Sequence, residues 1–105
     1  MKSRIMFIED KSESHNGAAK IGWVTPSKTG KTLSYQGRRL RRVTGYKFNH
    51  VDVESGEEFW ISGCKKMGGD RLYASNLPIE IDEDAREVYW REIRGLPNRI
   101  NQATT

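Results

Sequence analysis

The sequence predicts a mainly β protein: a small antiparallel β-barrel or half-barrel, followed by one α-helix near the C-terminus. Three observations support this prediction. The chain has 105 residues, which is enough for one domain with a small core. Short apolar runs alternate with Gly, Pro and Ser turns through most of its length, as in antiparallel sheets. From about residue 82 the apolar residues recur at helical spacing instead.

Seven short segments have the composition of β-strands, which fits a domain of SH3-like size. Residues 26–30 form a turn between the second and third segments, and residues 54–57 form the tight turn of a further hairpin. A bulge near Asn49 and His50 would turn the apolar residues of that hairpin's first strand toward the core, namely Tyr46, Phe48, Val51 and Val53. The predicted strands are residues 4–8, 21–24, 32–35, 38–43, 46–53, 58–61 and 71–73.

The helix is predicted over residues 82–94. Asp82 is a suitable N-cap, and the two acidic residues after it lie where the helix dipole favours negative charge. Gly95 suits the position that follows a helix C-terminus. We therefore expect one domain over residues 1–97 and a disordered polar tail over residues 98–105.

The strongest functional signal is a stretch without acidic residues. Residues 14–51 contain no Asp or Glu but eight Lys and Arg, whereas the net charge of the whole chain is only +4. A long stretch of one sign is a candidate surface for an anionic partner. If Leu40 points into the core, alternation along its strand places Arg39 and Arg41 in solvent. The residues that we expect to contact such a partner are Lys28, Lys31, Arg38, Arg39, Arg41 and Arg42.

Two function classes fit this stretch. Trp23, Tyr35 and Tyr46 are interleaved with the cations, and barrels with cations and exposed aromatics commonly hold single-stranded nucleic acid. The leading hypothesis is a small binding module whose basic strand–turn surface contacts the backbone of DNA or RNA. The alternative is a protein-interaction module, an adaptor or inhibitor, because the basic segment and the acidic helix provide surfaces of opposite charge. The same two surfaces could instead pair within the chain, with the aromatics in the core.

The candidate catalytic motifs are incomplete. Residues 30–32 read Gly-Lys-Thr, like the end of a phosphate-binding P-loop, but Thr25 stands where the motif requires Gly, and a strand follows instead of a helix. His50 and Asp52 share one strand face, yet nothing marks a substrate site beside them, and we expect a surface histidine. The sequence therefore predicts no enzymatic activity.

The single cysteine, Cys64, excludes an intrachain disulfide and a Cys-rich zinc site. The carboxylates of residues 80–92 are explained by helix capping and the helix dipole, so they predict no metal site. No apolar run approaches the length of a membrane span, and the first residues lack the apolar segment of a secretory signal. We expect a cytoplasmic protein without a cofactor.

The chain also resembles a family of short, uncharacterised bacterial proteins. The resemblance lies in four strings: MFIE at residues 6–9, SKTGKTL at 27–33, DVESGEEFWISG at 52–63 and IEIDEDAREVYWREIRG at 79–95. Members are sometimes labelled deoxyxylulose-phosphate synthase, a thiamine-diphosphate enzyme. Such enzymes are several times longer, and this chain lacks the Gly-Asp-Gly that opens their cofactor motif. The resemblance thus implies a bacterial protein but no activity.

Overall fold

The strands form one seven-stranded sheet, six of whose strands close into an antiparallel barrel. The structure is a computed structural model that describes residues 3–11, 19–45, 47–64 and 79–104. Its strands are β1 (Arg4–Asp10), β2 (Ala19–Pro26), β3 (Thr32–Tyr35), β4 (Arg38–Arg42), β5 (His50–Asp52), β6 (Glu58–Gly63) and β7 (Glu80–Ile81). The barrel runs in the order β1-β6-β5-β4-β3-β2, and pairing of β1 with β2 closes it. The predicted barrel with a C-terminal helix is confirmed, and the barrel is complete.

Turn chemistry explains two hairpins of the barrel. Gln36 and Gly37 connect β3 and β4 with φ values of 46° and 79°, which is the two-residue turn that matches the twist of paired strands. Between β2 and β3, the Ser27 N–H donates to the Thr32 carbonyl at 2.8 Å, and Gly30 has a φ of 75°. Residues 30–32 therefore belong to a hairpin.

Alternation along β1 and β2 separates two apolar clusters. Ile5 and Phe7 face outward beneath the helix, whereas Ile8 faces the barrel interior with Leu40 of β4. The outer cluster consists of Ile5, Phe7, Ala19, Ile21, Ile79, Ile81, Ala85, Tyr89 and Trp90. The inner cluster consists of Ile8, Val24, Tyr35, Leu40, Phe59 and Ile61.

Helix α1 spans residues 83–93 and covers the outer cluster. It begins with a 3-10 turn (Glu83–Ala85), continues as an α turn (Arg86–Val88) and widens into a π turn (Tyr89–Ile93). Gly95, with a φ of 67°, follows its end as predicted. Asp82 holds the N-cap position, but its side chain makes no capping hydrogen bond.

The chain after α1 makes hydrogen bonds to the helix and to the edge of the sheet. A 3-10 turn (Pro97–Arg99) leads back to the short strand β7, which pairs in parallel with β2. The Trp90 Nε1–H donates to the Gln102 carbonyl at 2.9 Å, and the Ile81 N–H donates to the Ala103 carbonyl at 2.7 Å. A buried indole and the outer edge of β7 thus both obtain hydrogen-bond partners from this segment.

The alternation predicted around β5 is wrong at its C-terminal end. The strand is only three residues long; His50 and Asp52 are buried in it, whereas Val53 is 45% exposed. Val53 begins the turn after the strand, whose N–H groups donate to the Asp52 carboxylate. At the other end of the strand, the Asn49 side chain binds the backbone of β6. Its Nδ2 donates to the Ile61 carbonyl and its Oδ1 accepts from the Ile61 N–H, both at 2.8 Å, as a neighbouring strand would. Tyr46 and the strand predicted at 71–73 lie outside the described residues.

Candidate anion-binding site

Strand β4 presents its four arginines on different sides of the barrel. Leu40 is fully buried, and Arg39 and Arg41 are exposed on the outer face, as alternation predicts. Arg38 and Arg42 lie on the inner side of the strand, at opposite ends of the barrel. The six predicted contact residues therefore do not form one surface.

Arg38 is bound within the protein. Its Nη1 lies 2.7 Å from Asp52 Oδ2 and 3.0 Å from Glu57 Oε1, and its guanidinium lies 5.4 Å from the centre of the Phe59 ring. The hydrogen bonds to Glu57 and Asp52 raise the pKa of Arg38. Arg38 thus lies apart from the other candidates and already has anionic partners.

Asp52, the first of these partners, also organises the turn between β5 and β6. Its Oδ1 accepts from the Glu54 N–H at 2.9 Å and from the Ser55 N–H at 3.2 Å. These bonds, together with Arg38, hold the pKa of Asp52 below its usual value, with the Glu54 N–H contributing most. His50 and Asp52, which share one strand face, have separate partners: His50 Nδ1 lies 2.9 Å from Asn49 Oδ1, whereas Asp52 is bound to Arg38 and to the turn.

Cations gather at the opposite end of the barrel, where β2 turns into β3. Lys31, Arg41 and Arg42 line one surface groove, and the Arg42 N–H donates to the Lys31 carbonyl at 2.8 Å. Lys28 is exposed in the adjoining turn. Arg4, which the sequence analysis missed, lies at the start of β1 and lines a cavity together with Arg42. We call these five cations the basic rim: Arg4, Lys28, Lys31, Arg41 and Arg42.

Arg4 was missed because it precedes the acid-free stretch of residues 14–51. The alternation of residues along β1 could have identified Arg4 as a residue at the mouth of the barrel. Arg4, Met6 and Ile8 share one face of that strand, and the cavity at the basic rim includes Arg4 and Met6. Charge counting along the chain therefore identified only part of a surface that the barrel assembles from distant strands.

Two cations of the basic rim, Arg4 and Arg42, line a cavity of about 310 Å³ together with apolar side chains of the inner cluster. His50 lies in its wall and is only 6% exposed, which corrects the expectation of a surface histidine. Burial, and secondarily the charge of Arg42, lower the pKa of His50 to about 4. No carboxylate of the described residues lines this cavity or the neighbouring groove.

The acidic start of α1 lies at the other end of the barrel and does not mask the basic rim. Asp82 Oδ2 accepts from the Tyr35 hydroxyl at 2.7 Å and from Gln36 Nε2 at 3.0 Å. Burial, and then this hydrogen bond, raise the pKa of Tyr35. α1 packs on β1, β2 and β7, and Arg39 and Arg41 have no ion-pair partner within the described segments.

The aromatic residues are not arranged for base stacking at the basic rim. Trp23 is half-buried against the helix and donates through Nε1 to the Asp84 carbonyl at 3.0 Å, and Tyr35 is buried. In the part of the chain that the structure describes, no aromatic side chain is exposed. Tyr46, the third predicted aromatic, lies outside it.

The described segments contain no group of three or more His, Cys, Asp or Glu side chains that could hold a metal ion. None of their helices has both the length and the apolar character needed to span a bilayer. Cys64 is half-buried and packs against the outer cluster.

No protein-family model, curated protein or solved structure matches this chain. The function proposed for the site therefore depends on its own geometry and charge.

Proposed function

We propose that this protein binds the sugar–phosphate backbone of nucleic acid through the basic rim. One observation carries the proposal: four cations, Arg4, Lys31, Arg41 and Arg42, line a groove and a neighbouring cavity that no described carboxylate lines, and Lys28 is exposed in the adjoining turn. Folded proteins usually intersperse opposite charges on such surfaces, so a concentration of one sign favours an anionic partner.

The opposite end of the molecule strengthens this proposal. A hollow beside Gln36 is lined by one cation, Arg86, and by four carboxylates: Glu80, Asp82, Glu83 and Asp84. The barrel therefore separates a basic end from an acidic end. Such a charge distribution would orient an approaching polyanion toward the basic rim and repel it from the acidic end.

The chemistry of the basic rim suits phosphate contacts that are independent of sequence. Arg41 and Arg42 offer planar guanidinium groups that bind two phosphate oxygens at once, and Lys28 and Lys31 offer flexible point charges. The described rim has no exposed aromatic for stacking on bases. Affinity should therefore come from counterion release, and it should fall steeply with salt.

The test measures binding of a fluorescent oligonucleotide, single-stranded and duplex, by anisotropy over a range of salt concentrations. If all five cations contact phosphates, the slope of log K against log salt is roughly −3.5 to −4.5. The double variant Lys31→Gln/Arg41→Gln should make this slope shallower by roughly 1.5.

A matched control has the same charge change on α1 and in the turn that follows it. Arg91→Gln/Arg99→Gln also removes two positive charges, both from exposed positions near the C-terminus. Its salt slope should equal that of the unmodified protein. Equal slopes for both double variants, or no binding at low salt, would refute the proposal.

In that event the second candidate is a protein-interaction module, which the separation of acidic and basic ends also favours. A pull-down that recovers one protein in stoichiometric amount after nuclease treatment would support it. Recovery that disappears with nuclease would instead favour nucleic acid.

A further inference from the structure

We propose that the cavity inside the basic rim is a binding site for a small amphipathic anion: a phosphomonoester or carboxylate whose head lies between Arg4 and Arg42 and whose apolar group enters the barrel. This site goes beyond the proposed contacts with a nucleic-acid backbone, because it takes one small molecule into the interior.

The walls of the cavity favour an apolar group. Below the two arginines, the side chains of Met6, Val24, Leu33 and Ile61 line it. Its volume of about 310 Å³ lies at the lower end of the range for small-molecule sites. Water beside these four side chains finds few polar partners, so an apolar group that displaces it gains affinity.

The mouth of the cavity favours a negative charge. Arg4 comes from β1 and Arg42 from β4, so two strands on different sides of the barrel bring two guanidiniums to one opening. Neither has an ion-pair partner among the described residues. The cavity at the other end of the barrel differs, since it contains both signs of charge and its Arg38 is already bound.

His50 adds a group that responds to the occupant. Asn49 Nδ2 donates to the Ile61 carbonyl, so Asn49 Oδ1 is the acceptor that faces His50 Nδ1 at 2.9 Å. The neutral ring must therefore carry its proton on Nδ1, which leaves Nε2 as the acceptor. The charged groups that line the cavity around His50 are the two guanidiniums, and that of Arg42, after burial, disfavours a second proton on the ring. A bound anion would offset their charge and raise the pKa of His50 from about 4.

The experiment uses three probes that separate the contribution of the anionic head from that of the apolar group: phenyl phosphate, inorganic phosphate and phenol. Each is titrated calorimetrically at low salt and neutral pH. Phenyl phosphate should bind at least about tenfold more tightly than either of the others, because it alone has both parts. Benzoate in place of phenyl phosphate tells a carboxylate site from a phosphate site, and binding of either supports the proposal.

Arg42→Gln should weaken phenyl phosphate at least about tenfold, whereas Arg39→Gln, the same change on the outer face of the same strand, should leave it unchanged. In a His15→Gln background, the single remaining histidine resonance should titrate at higher pH when phenyl phosphate is bound. Equal affinity for phenyl phosphate and inorganic phosphate, equal losses in the two arginine variants, or an unmoved His50 titration would overturn the proposal. Intact phenyl phosphate binding without oligonucleotide binding would support it and refute only the function proposed above.

Discussion

Gly22 provides the sharpest test of the packing between the barrel and the segment before α1. It lies buried on β2, beneath the Asp82 carboxylate that accepts the Tyr35 and Gln36 hydrogen bonds. A Cβ at this position would collide with Asp82 Oδ2 and would lie 2.8 Å from Tyr35 Cε1. We therefore expect Gly22→Ala to push the carboxylate away from the tyrosine hydroxyl.

The size of the effect follows from three contributions. Loss of a hydrogen bond to a charged group costs about 1.5–3 kcal/mol. Overpacking a buried site costs about 1–3 kcal/mol. The lower entropy of the unfolded alanine chain returns about 0.4–1 kcal/mol. The free energy of unfolding should fall by about 3 kcal/mol, a large share of the stability of a small domain.

Urea unfolding followed by tryptophan fluorescence measures this loss, and Gly63→Ala is the control. Gly63 also lies in a strand, but a Cβ there meets nothing within 4 Å, so its effect should stay within about 0.5 kcal/mol. In an Asp82→Ala background, where the nearer of the two obstacles is removed and only Tyr35 remains, Gly22→Ala should cost at least about 1 kcal/mol less. A loss below about 1 kcal/mol at Gly22, or additivity with Asp82→Ala, would refute this reasoning.

Three other changes test the remaining polar contacts. The free energy of unfolding should fall by roughly 2–3 kcal/mol between about pH 7.5 and about pH 4.5. In this range His50 becomes protonated in the unfolded chain, where its pKa is near 6.5, but stays mostly neutral in the folded protein, where its pKa is about 4. His50→Gln should flatten this profile in pH-dependent urea unfolding, and an unchanged profile would contradict the assignment. Asn49→Ala leaves both backbone groups of Ile61 without partners and should cost about 2–4 kcal/mol in the same assay; a loss below about 1 kcal/mol would show that these bonds matter little. Arg38→Gln removes two hydrogen bonds to carboxylates. Because the side chain is partly exposed, this change should lower the free energy of unfolding by only about 1–2 kcal/mol. Arg39→Gln should change it by less than about 0.5 kcal/mol, and equal losses would count against a special role for Arg38.

The hairpins of the barrel could be predicted because their signals are local. Turn residues at 26–30 and 54–57 lie between apolar runs, and the strands beside them pair in register. The helix was predicted for the same reason, and Gly95 ends it where the sequence places the end. Closure of the barrel depends on β1 meeting β6, and no local pattern encodes that pairing.

The site could be predicted only in part, for physical reasons that concern particular residues. Alternation correctly placed Arg39 and Arg41 in solvent. It failed at Val53, because the strand ends at Asp52 and Val53 begins the turn whose N–H groups donate to the Asp52 carboxylate. Alternation also does not show that Arg38 binds Asp52 and Glu57, because these contacts join distant parts of the chain. For the same reason it does not show that Arg4 and Arg42 line one cavity.

The seam between β1 and β6 sets the order in which the chain can fold. It joins Met6 to Gly63 and Asp10 to Phe59, residues that are about fifty positions apart. During synthesis β1 can pair with β2 early, but its other edge stays open until β6 has left the ribosome. The outer apolar cluster stays uncovered for longer, because the ribosome synthesises α1 after β6. The nascent chain therefore passes through a stage with two unpaired sheet edges and an uncovered apolar face, the stage at which it is most prone to aggregate.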